Sequence, residues 1–463
     1  MSRFINRIQE LEFLDKKYKT SNAELLILYG RRRIGKTELI LKFCNSKNHL
    51  YFIGRLESKE DTLKRFNNLL IEKFADSTLL NNPLMNWDAI FDYILKKSNE
   101  RFILIIDEFP FLVEKFPEIV SILQDKWDSN LKKSKLMLIL SGSSIGMMEK
   151  YALDYKSPLY GRRTGQWKVE TMNISHLREF FPKYSQEDLV NVYSVIDMIP
   201  GYLNIFTDEK DFIDNLKDKL FSKGEFLYEE IEILMREELR DPSNYMSIIS
   251  GIAGGLTSFN EIKQKTNLDK SLLSKYIGIL ESLDIVEKIT PITHSTKEKL
   301  KSKKSLYGIK DNFFDFWFKF VYLNKQEIEK GNFNIISSLK DEFDRYASFK
   351  FEKYCKDFIY NQFSNNFNKI GKWWYKDNEI DIVALNNEKK EILLGECKWK
   401  EKVNPLEILK DLEEKAKLVD WNIGKRKEKF AVFAKSFIKK TSEFNGHEVY
   451  CYDLKDIEKA SSD

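Results

Sequence analysis

The stretch YGRRRIGKTE, near the start of the chain, has the residue types and the spacing that phosphate chemistry requires. Gly30 and Gly35 allow the backbone between them to turn its N–H groups towards phosphate oxygens. Lys36 reaches the terminal phosphates of a nucleotide, and the hydroxyl of Thr37 is a ligand for Mg²⁺. The alternative is a glycine turn beside a lysine that binds nothing. The residues of this loop predicted to bind a nucleotide are Gly30, Arg31, Arg32, Arg33, Ile34, Gly35, Lys36, Thr37 and Glu38.

An acidic pair ends a second apolar run, in FILIIDEFP. Asp107 and Glu108 follow the run directly. Acidic side chains at the carboxyl end of a strand are suited to hold Mg²⁺ and to activate water. We predict that Asp107 binds the metal together with Thr37 and that Glu108 polarises the attacking water. The alternative is a buried strand that ends in a capping aspartate.

Two further polar stretches are candidates for the same site. The apolar run LMLILSGSS ends in serines, and Ser141 is predicted to sense the terminal phosphate or to orient water. A serine-rich turn without a ligand is the alternative. The loop SPLYGRRTGQ carries Arg162 and Arg163, which would stabilise transition-state charge as arginine fingers, in the same chain or across a subunit interface. The two arginines could equally pair with surface carboxylates.

A second set of acidic residues lies near the other end of the chain, in EIDIVALNNEKKEILLGECKWK. Two apolar runs joined by a short polar turn predict a hairpin. Because side chains alternate along a strand, Glu396 and Lys398 share a face, and the hairpin brings Asp381 beside Glu396. Two adjacent carboxylates repel unless a cation lies between them, which predicts a Mg²⁺ site held by Asp381 and Glu396. Lys398 would orient water or stabilise a pentavalent phosphate.

The middle of the chain has the pattern of a nucleic-acid-binding module. The segment LTSFNEIKQKTNLDKSLLSKYIGILESLDIVEKI predicts two short helices and a strand, with Asp269 as the N-cap of the second helix. Two apolar segments then flank the basic loop THSTKEKLKSKK, which is typical of a wing that meets phosphate. The residues predicted to contact nucleic acid are Lys270, Ser271, Ser274, Lys275, Lys297, Lys299, Lys301, Lys303 and Lys304. Winged helices also serve as packing or protein-contact modules, and a lysine-rich loop is also a common solvated turn.

Length and composition limit the classes of protein. A chain of 463 residues exceeds a single hydrophobic core, so two to four domains are expected. Lys+Arg 76 against Asp+Glu 72 leaves a net charge of +4, so any affinity for nucleic acid must come from local patches. The spacing of the four cysteines and four histidines disfavours zinc sites and disulfide frameworks. With no signal-peptide pattern and only short apolar runs, the sequence predicts a soluble, cytoplasmic protein without membrane contact.

The motifs of the first half occur in a family-specific order: FINRIQELEFL, YGRRRIGKTEL, IIDEFP, SGSS, PLYGRRTG and IPGYL. In this order they resemble the archaeal-type P-loop ATPases, which belong to the AAA-like and STAND-like proteins. The resemblance implies a nucleotide-binding sheet followed by a helical lid. In that family a Gly-Arg pair lies against the nucleotide. This chain has Asn6-Arg7 at that place, so the resemblance implies a nucleotide contact for Arg7 only. A Gly-x-Pro element of the lid touches the nucleotide in related ATPases; this chain lacks its glycine but keeps Pro200, which is implied in the same role.

The acidic motifs of the last segment also resemble a known group. Asp381 followed by Glu396-x-Lys398 is similar to the PD-(D/E)xK nuclease superfamily, although the proline of the first motif is missing. Glu352, on the predicted preceding helix, matches an additional helix acid in branches of that superfamily. The segment is also similar to the C-terminal domain that accompanies archaeal-type ATPases. The alternative is a nuclease fold that has lost cutting and only binds.

These patterns predict an α/β multidomain protein that hydrolyses ATP and couples nucleotide state to metal-dependent phosphodiester cleavage. ATP and Mg²⁺ are the expected cofactors. The expected partner is nucleic acid, with DNA favoured. A homo-oligomer is required if the arginine fingers act in trans. The alternatives are a STAND-like ATP-driven signalling switch and a DNA-binding regulator with an inactive nuclease fold. The predicted domains are a P-loop ATPase core with a parallel sheet (1–165), a helical lid (166–242), a winged helix-turn-helix (243–311), an aromatic helical linker (312–339) and a restriction-endonuclease-like α/β domain (340–463).

Overall fold

The structure is a computed structural model that covers most of the chain. The described residues are 4–98, 100–239, 241–294, 305–331 and 340–460. Contacts divide the chain into two compact units, Met1–Thr171 and Met172–Asp463. Within the described ranges, each helix is too short or too polar to cross a lipid bilayer.

The first unit is built on a parallel sheet with the strand order β2–β3–β4–β1–β5. Strands β3 and β4 are continuous apolar runs and are buried along their whole length, as expected for a parallel sheet covered on both faces. The unit extends past the predicted limit at residue 165 because β5 begins there and pairs with β1. The strands are β1 Glu24–Tyr29, β2 His49–Ile53, β3 Phe102–Asp107, β4 Leu136–Gly142 and β5 Gly165–Lys168.

Helices connect these strands, and their first residues carry local start signals. Ser58 accepts a hydrogen bond from the N–H of Asp61 at the start of α3, and Asn86 accepts one from Ala89 at the start of α5. The helices are α1 Ile8–Tyr18, α2 Lys36–Cys44, α3 Lys59–Phe74, α4 Thr78–Asn81, α5 Trp87–Lys97, α6 Phe109–Lys115, α7 Ile119–Ser129 and α8 Ile145–Met148. A 3₁₀ turn spans Leu131–Lys133, and a π-helical turn spans Glu149–Leu153.

The second unit begins with a run of helices. Ser185 and Asp188 exchange hydrogen bonds in a capping box that opens α10. A helix of 24 residues, Lys340–Phe363, packs on α10 and on the C-terminal sheet, and we call it the long helix. The helices before it are α9 Leu177–Phe180, α10 Gln186–Ile196, α11 Pro200–Leu203, α12 Phe212–Lys219, α13 Phe226–Glu238, α14 Pro242–Ala253, α15 Phe259–Thr266, α16 Lys270–Ser282, and two short helices, Asn312–Phe316 and Lys325–Glu329.

An antiparallel pair of strands, β6 Val286–Ile289 and β7 Leu306–Ile309, follows α16. The turn between α15 and α16 contains Asn267 with a φ of 52°. Asp269 accepts hydrogen bonds from two N–H groups in the first turn of α16, so it is the N-cap that the sequence predicts. The predicted wing lysines lie outside the described residues; they are Lys297, Lys299, Lys301, Lys303 and Lys304.

The aromatic run after β7 is buried inside the second unit. Its buried side chains are Phe313, Phe314, Phe316, Trp317, Phe318 and Phe320. The indole N–H of Trp317 donates to the carbonyl of Tyr228 at 2.9 Å. Because these rings are buried, they pack helices together and do not offer faces on which bases could stack.

The C-terminal part of the second unit is a mixed sheet with the order β12–β13–β11–β10–β9–β8. Strand β11 pairs in parallel with β10 and β13, and the other pairs are antiparallel. A helix, Pro405–Ala416, buries its apolar side chains in the core of this sheet, and a last helix spans Leu454–Ala460. The strands are β8 Lys369–Tyr375, β9 Asn378–Asn386, β10 Glu391–Lys398, β11 Lys427–Ala434, β12 Glu443–Phe444 and β13 His447–Tyr452.

Candidate active sites

The backbone of the phosphate-binding loop has the conformation that its glycines allow. Gly30 has a φ of 153°, and a Cβ atom there would lie 2.4 Å from the carbonyl oxygen of Val169, so the residue that follows β5 leaves no room for a side chain. Gly35 has a φ of 90° and directly precedes α2. The loop therefore delivers Lys36 and Thr37 to the first turn of a helix, where N–H groups and the helix dipole favour anions.

The side chain of Lys36 is folded back into this loop. Its Nζ donates to the carbonyl oxygens of Gly30 and Arg31, both at 2.9 Å. The residue is buried. The ammonium is therefore held at the loop itself, where phosphate oxygens would bind.

Asp107, at the end of β3, accepts hydrogen bonds from two hydroxyl groups. Thr37 Oγ1 donates to Asp107 Oδ2 at 2.8 Å, so the two predicted metal ligands are in direct contact. The hydroxyl of Tyr51 donates to the same oxygen at 2.6 Å. Burial raises the pKa of Tyr51, and the charge of Asp107 raises it further. Sequence reasoning missed Tyr51, because only the pairing of β2 with β3 places it beside Asp107.

Glu108 is fixed by the turn that follows β4. The hydroxyl of Ser143 donates to Glu108 Oε2 at 2.9 Å, and the N–H of Ser143 donates to the same atom at 3.2 Å. Glu108 has a φ of 50°, an uncommon conformation for a residue with a side chain. A Cβ at Gly54 would lie 2.5 Å from the carbonyl oxygen of Glu108, so the bend fits only against a glycine.

Arg7 contacts the phosphate-binding loop from outside, and its contact with a nucleotide stays a prediction. Its guanidinium donates to the carbonyl oxygens of Ile34 and Glu170, both at 2.8 Å, and to Glu10 Oε1 at 2.9 Å. Burial lowers the pKa of Arg7. The side chain thus ties the phosphate-binding loop to the chain that follows β5.

The remaining predicted residues of the ATP site have different surroundings. The guanidinium of Arg162 donates twice to Asp128 Oδ2, at 3.0 and 2.7 Å, so it pairs with a surface carboxylate. Arg163 lies over the ring of Tyr160, with 4.9 Å from Cζ to the ring centroid. Pro200 belongs to the second unit, where it is the first residue of α11.

The first unit offers donors and acceptors that suit a nucleotide with Mg²⁺. In the part of the chain that the structure describes, the buried Oγ of Ser141 has no hydrogen-bond partner. The hydroxyl of Thr37 and the carboxylate of Asp107 lie in contact, and Mg²⁺ prefers oxygen ligands of this kind. Lys36 and the helix N-terminus supply positive charge. These residues fit the predicted cofactors.

The second candidate site is assembled on the hairpin of β9 and β10. The two strands are antiparallel, and the last pair in register is Ile382 with Gly395, so Asp381 and Glu396 come next to each other at the open end of the ladder. Asp381 Oδ2 accepts a hydrogen bond of 2.9 Å from the N–H of Cys397. Both carboxylates are buried. The predicted proximity of Asp381 and Glu396 is therefore what the strand pairing produces.

Lysines reach this carboxylate pair from three elements. Lys398 Nζ donates to Glu396 Oε1 at 2.8 Å. Lys415, on the Pro405–Ala416 helix, lies 3.7 Å from Glu396 Oε2, an atom that has no hydrogen-bond partner among the described residues. Lys372, on β8, lies 4.0 Å from Asp381 Oδ1. Sequence reasoning identified Lys398 only, since the other two depend on strand and helix packing.

Glu352, on the long helix, joins the same cluster through Lys372. The two side chains form an ion pair of 3.1 Å, and Lys372 also lies 3.3 Å from Glu379 Oε2. Lys372 is therefore a shared counter-ion for three carboxylates. The structure brings together all four residues that the sequence predicts for the cleavage site: Glu352, Asp381, Glu396 and Lys398.

Burial and neighbouring carboxylates raise the pKa of two acids in this cluster, Asp381 and Glu352. Burial, and then the charges of Glu352 and Glu396, raises the pKa of Asp381 to about 7. Burial also raises the pKa of Glu352, against the influence of Lys372. Within the described ranges, no three or more His, Cys, Asp or Glu side chains are grouped to hold a metal ion. The pair of Asp381 and Glu396 offers two buried carboxylates, the oxygen ligands that hard divalent cations prefer.

The predicted nucleic-acid residues on α16 all face solvent. Lys270, Ser271, Ser274 and Lys275 are exposed, whereas Leu273 and Ile277 on the opposite side are buried. This arrangement leaves a polar helix face open to a partner. The role of that face stays a prediction.

A parallel sheet whose first strand leads into this glycine loop defines a P-loop nucleotide-hydrolase fold. A family model described as an ATPase domain predominantly from Archaea matches residues 4–206, and one described as Archaea bacterial proteins of unknown function matches residues 317–415. An uncharacterized protein of Methanocaldococcus jannaschii is 38% identical over 425 residues, which cover 90% of this chain and 92% of that protein. The chain belongs to this archaeal ATPase family.

Two further similarities are a short one in sequence and a more distant one in fold. An uncharacterized ATP-binding protein of the same organism is 59% identical over 44 residues, which cover 10% of this chain and 75% of that protein. The solved structure of a Walker-type ATPase of Pyrococcus abyssi has a TM-score of 0.54 at 22% identity, covering 68% of this chain and 96% of that chain. The second similarity shows a shared fold.

Proposed function

We propose that this protein binds and hydrolyses ATP in its first unit and cleaves phosphodiester bonds of nucleic acid at Asp381, Glu396 and Lys398, with the nucleotide state controlling cleavage. The observation that carries the cleavage proposal is the buried pair of carboxylates, in which burial and neighbouring acids raise the pKa of Asp381 to about 7 beside a lysine bonded to Glu396. Buried acids with a strongly shifted pKa are typical of functional sites.

At the P-loop, each side chain has a separate task. Lys36 and the N–H groups of the loop bind phosphate oxygens, and Arg7 keeps the loop in place. Glu108, held by Ser143, orients the attacking water. Thr37 and Asp107 would hold Mg²⁺, which neutralises phosphate charge when bound.

At the C-terminal site, the reaction adds water across a P–O bond of the nucleic-acid backbone. The water oxygen bonds to phosphorus, the leaving oxygen departs with the bonding electron pair, and a proton passes from the water to the leaving group or solvent. Asp381 and Glu396 would hold a divalent cation, which stabilises the developing charge. Lys398 orients the water or the phosphate, and Glu352 assists from the long helix.

We propose that α14–α16 with β6 and β7 form a winged helix, and that the C-terminal sheet with the long helix forms a restriction-endonuclease-like domain. The exposed side chains of α16, from Lys270 to Lys275, would then meet nucleic acid. The helices between residues 166 and 242 would act as the lid of the ATPase.

The ATP proposal is tested by hydrolysis assays on Lys36→Ala. Loss of the ammonium is expected to lower ATP turnover by about 100-fold or more, because preorganised charge at the phosphates carries much of the catalysis. Lys42→Ala, on the exposed side of the same helix, is the matched control. Unchanged turnover in Lys36→Ala would refute this part of the proposal.

The cleavage proposal is tested with labelled single- and double-stranded DNA and RNA in the presence of Mg²⁺ or Mn²⁺. Asp381→Asn and Glu396→Gln are expected to abolish cleavage while ATP hydrolysis persists. Asp377→Asn, an exposed aspartate in the β8–β9 turn, should cleave like the unmodified protein. Cleavage that survives in both site variants would show that it arises elsewhere.

A second candidate function is a nucleic-acid-binding regulator with an inactive nuclease fold. The observation in its favour is that the described residues group no three acidic or other typical ligands around a metal position. Binding of DNA without metal-dependent cleavage of any substrate would favour this regulator.

A further inference from the structure

A polar cleft of about 560 Å³ lies between the β6–β7 pair and the long helix, entirely within the second unit. This volume falls in the range of roughly 300–1,000 Å³ typical of ligand-binding clefts. Glu352, Lys372 and Asp381 line one end of the cleft. The cleft therefore leads to the acidic cluster of the proposed cleavage site.

Lysines outnumber acids along the cleft. Six lysines line it against Glu287, Asp315, Glu352 and Asp381. Lys350 is paired with Asp315 at 2.5 Å, and Lys353 and Lys372 are paired with other carboxylates.

Three of these lysines remain without a close counter-ion. Among the described residues, no carboxylate oxygen lies within 4 Å of Lys288, Lys319 or Lys356. The cleft thus offers positive charge to a polyanion.

An exposed aromatic side chain lies in the same cleft. Phe349, on the long helix, is 66% exposed, although most of the large aromatic side chains of this segment are buried. Phe349, Glu352, Lys353 and Lys356 recur at helical spacing, so one face of the long helix carries a ring, an acid of the cluster and two lysines. A solvent-exposed ring between lysines is how proteins bind single-stranded nucleic acid: bases stack on the ring while ammonium groups follow the phosphates.

The walls of the cleft are joined by direct hydrogen bonds. The N–H of Ile292, after β6, donates to the carbonyl of Lys372 on β8 at 3.0 Å. Lys353 Nζ donates to the carbonyl of Lys310, after β7, at 2.6 Å. The cleft is therefore a fixed feature of the second unit.

We propose that this cleft binds one strand of nucleic acid, with a base stacked on Phe349 and phosphates at Lys319 and Lys356, and feeds that strand to Asp381. This inference rests on the proposed cleavage function and adds a substrate form, the single strand, and a binding path separate from α16. The shared chemistry is the phosphodiester backbone with exposed bases, which DNA and RNA both provide.

The test uses fluorescence anisotropy of fluorescein-labelled (dT)20, (rU)20 and a 20-base-pair duplex with the full chain in EDTA, so that binding is measured without cleavage. Phe349→Ala is expected to weaken binding of a single strand by about 10-fold, whereas Phe349→Tyr retains the stacking face and binds normally. Tyr360→Ala removes a 62% exposed ring of the same helix that does not line the cleft, and it should bind like the unmodified protein.

The lysines are tested through salt dependence. The double variant Lys319→Ala/Lys356→Ala is expected to reduce the slope of log Kd against log salt by about 1.4, since each of the two phosphate contacts in a single strand contributes about 0.7. Lys389→Ala/Lys425→Ala changes two exposed lysines outside the cleft and is the matched control. Thermal unfolding of each variant checks that the fold is retained.

The outcomes separate this inference from the proposed function. Weakened binding of (dT)20 or (rU)20 in the cleft variants supports the cleft, and the oligonucleotide affected identifies DNA or RNA. If the cleft variants weaken single-strand binding but the unmodified protein cleaves no substrate, the binding cleft is supported and the nuclease proposal fails. Normal single-strand binding by Phe349→Ala and by the double lysine variant, or binding of the duplex alone, overturns the cleft while leaving cleavage to be judged by Asp381→Asn.

Discussion

The two candidate sites of this chain hold their acidic side chains in opposite ways. At the P-loop, Asp107 accepts hydrogen bonds from Thr37 and Tyr51, and Glu108 accepts two from Ser143. In the C-terminal sheet, Asp381 has one backbone donor, and burial together with nearby carboxylates raises its pKa to about 7. At the first site the acids are held by hydroxyl and N–H donors, whereas at the second site buried carboxylates lie close together and share lysine counter-ions.

The two sites thus differ in how their acidic side chains are held before a phosphate ligand binds. Hydrogen bonds at the P-loop fix the acids before any ligand arrives, which favours reproducible geometry for hydrolysis. Burial, and then the charges of neighbouring carboxylates, oppose the ionisation of Asp381 and Glu352, and a bound cation would offset this. We therefore expect variants at the first site to change turnover and variants at the second to change stability as well.

The largest expected effect is that of Glu108→Gln. The amide keeps most of the volume but cannot accept a proton or polarise water as a carboxylate does, so ATP hydrolysis should fall by about 100-fold or more. Steady-state phosphate release measures turnover, and a fluorescent ATP analogue measures retained binding. Glu114→Gln, on the exposed side of α6, is the control, and equal turnover in the two variants would contradict the role of Glu108.

Lys372→Ala tests the charge balance of the second site. Removing the counter-ion shared by Glu352, Glu379 and Asp381 should lower the free energy of unfolding by about 2 kcal/mol at pH 8 in EDTA, since partly buried carboxylates lose their partner. Added Mg²⁺ should restore part of the loss. Urea unfolding with and without Mg²⁺ measures both, Lys369→Ala on the same strand is the control, and an unchanged midpoint would show that Lys372 does not balance these charges.

Asp381→Asn tests the repulsion through its pH dependence. Burial and neighbouring acids raise the pKa of Asp381 from its ordinary value of 3.8 to about 7 in the folded protein, so its contribution to stability is present below pH 3.8 and lost as the pH rises through 7. In EDTA, the amide should therefore stabilise the protein by about 1–2 kcal/mol at pH 8 and by less at pH 5. Thermal unfolding across this range measures it. Asp377→Asn should show no such trend, and a stabilisation that is independent of pH would argue against charge repulsion.

Tyr51→Phe has the smallest expected effect. It removes one donor from Asp107 but leaves Thr37 in place, so it should cost about 1 kcal/mol of stability and lower ATP turnover several-fold. Hydrolysis assays and thermal unfolding measure the two quantities. Tyr155→Phe alters an exposed tyrosine and serves as the reference, and an identical response of both variants would place Tyr51 outside the ATP site.

The parts of this molecule that could be predicted from sequence are those encoded in adjacent residues. Gly30, Gly35, Lys36 and Thr37 lie in one loop, so their joint geometry follows from a local motif. Pairing of Asp381 with Glu396 follows from a short hairpin, where alternation along two neighbouring strands determines the face.

Sequence analysis did not identify the residues whose contacts depend on which strands and helices are neighbours in space. Tyr51 reaches Asp107 only because β2 lies beside β3, and Lys372 reaches Asp381 only because β8 lies beside β9. Phe349 is one of many phenylalanines, and its exposure depends on the packing of the long helix. No short sequence motif predicts such contacts, because each depends on tertiary packing.

The central claim is that two sites in one chain act in sequence, with ATP at the first controlling cleavage at the second. The direct measurement is cleavage of a labelled oligonucleotide with Mg²⁺, with and without ATP, by the unmodified protein, Lys36→Ala and Asp381→Asn. We expect ATP-dependent cleavage by the unmodified protein, none by Asp381→Asn although it hydrolyses ATP, and none that responds to ATP in Lys36→Ala. Cleavage by Asp381→Asn, or equal cleavage by the unmodified protein and Lys36→Ala at every ATP concentration, would contradict it.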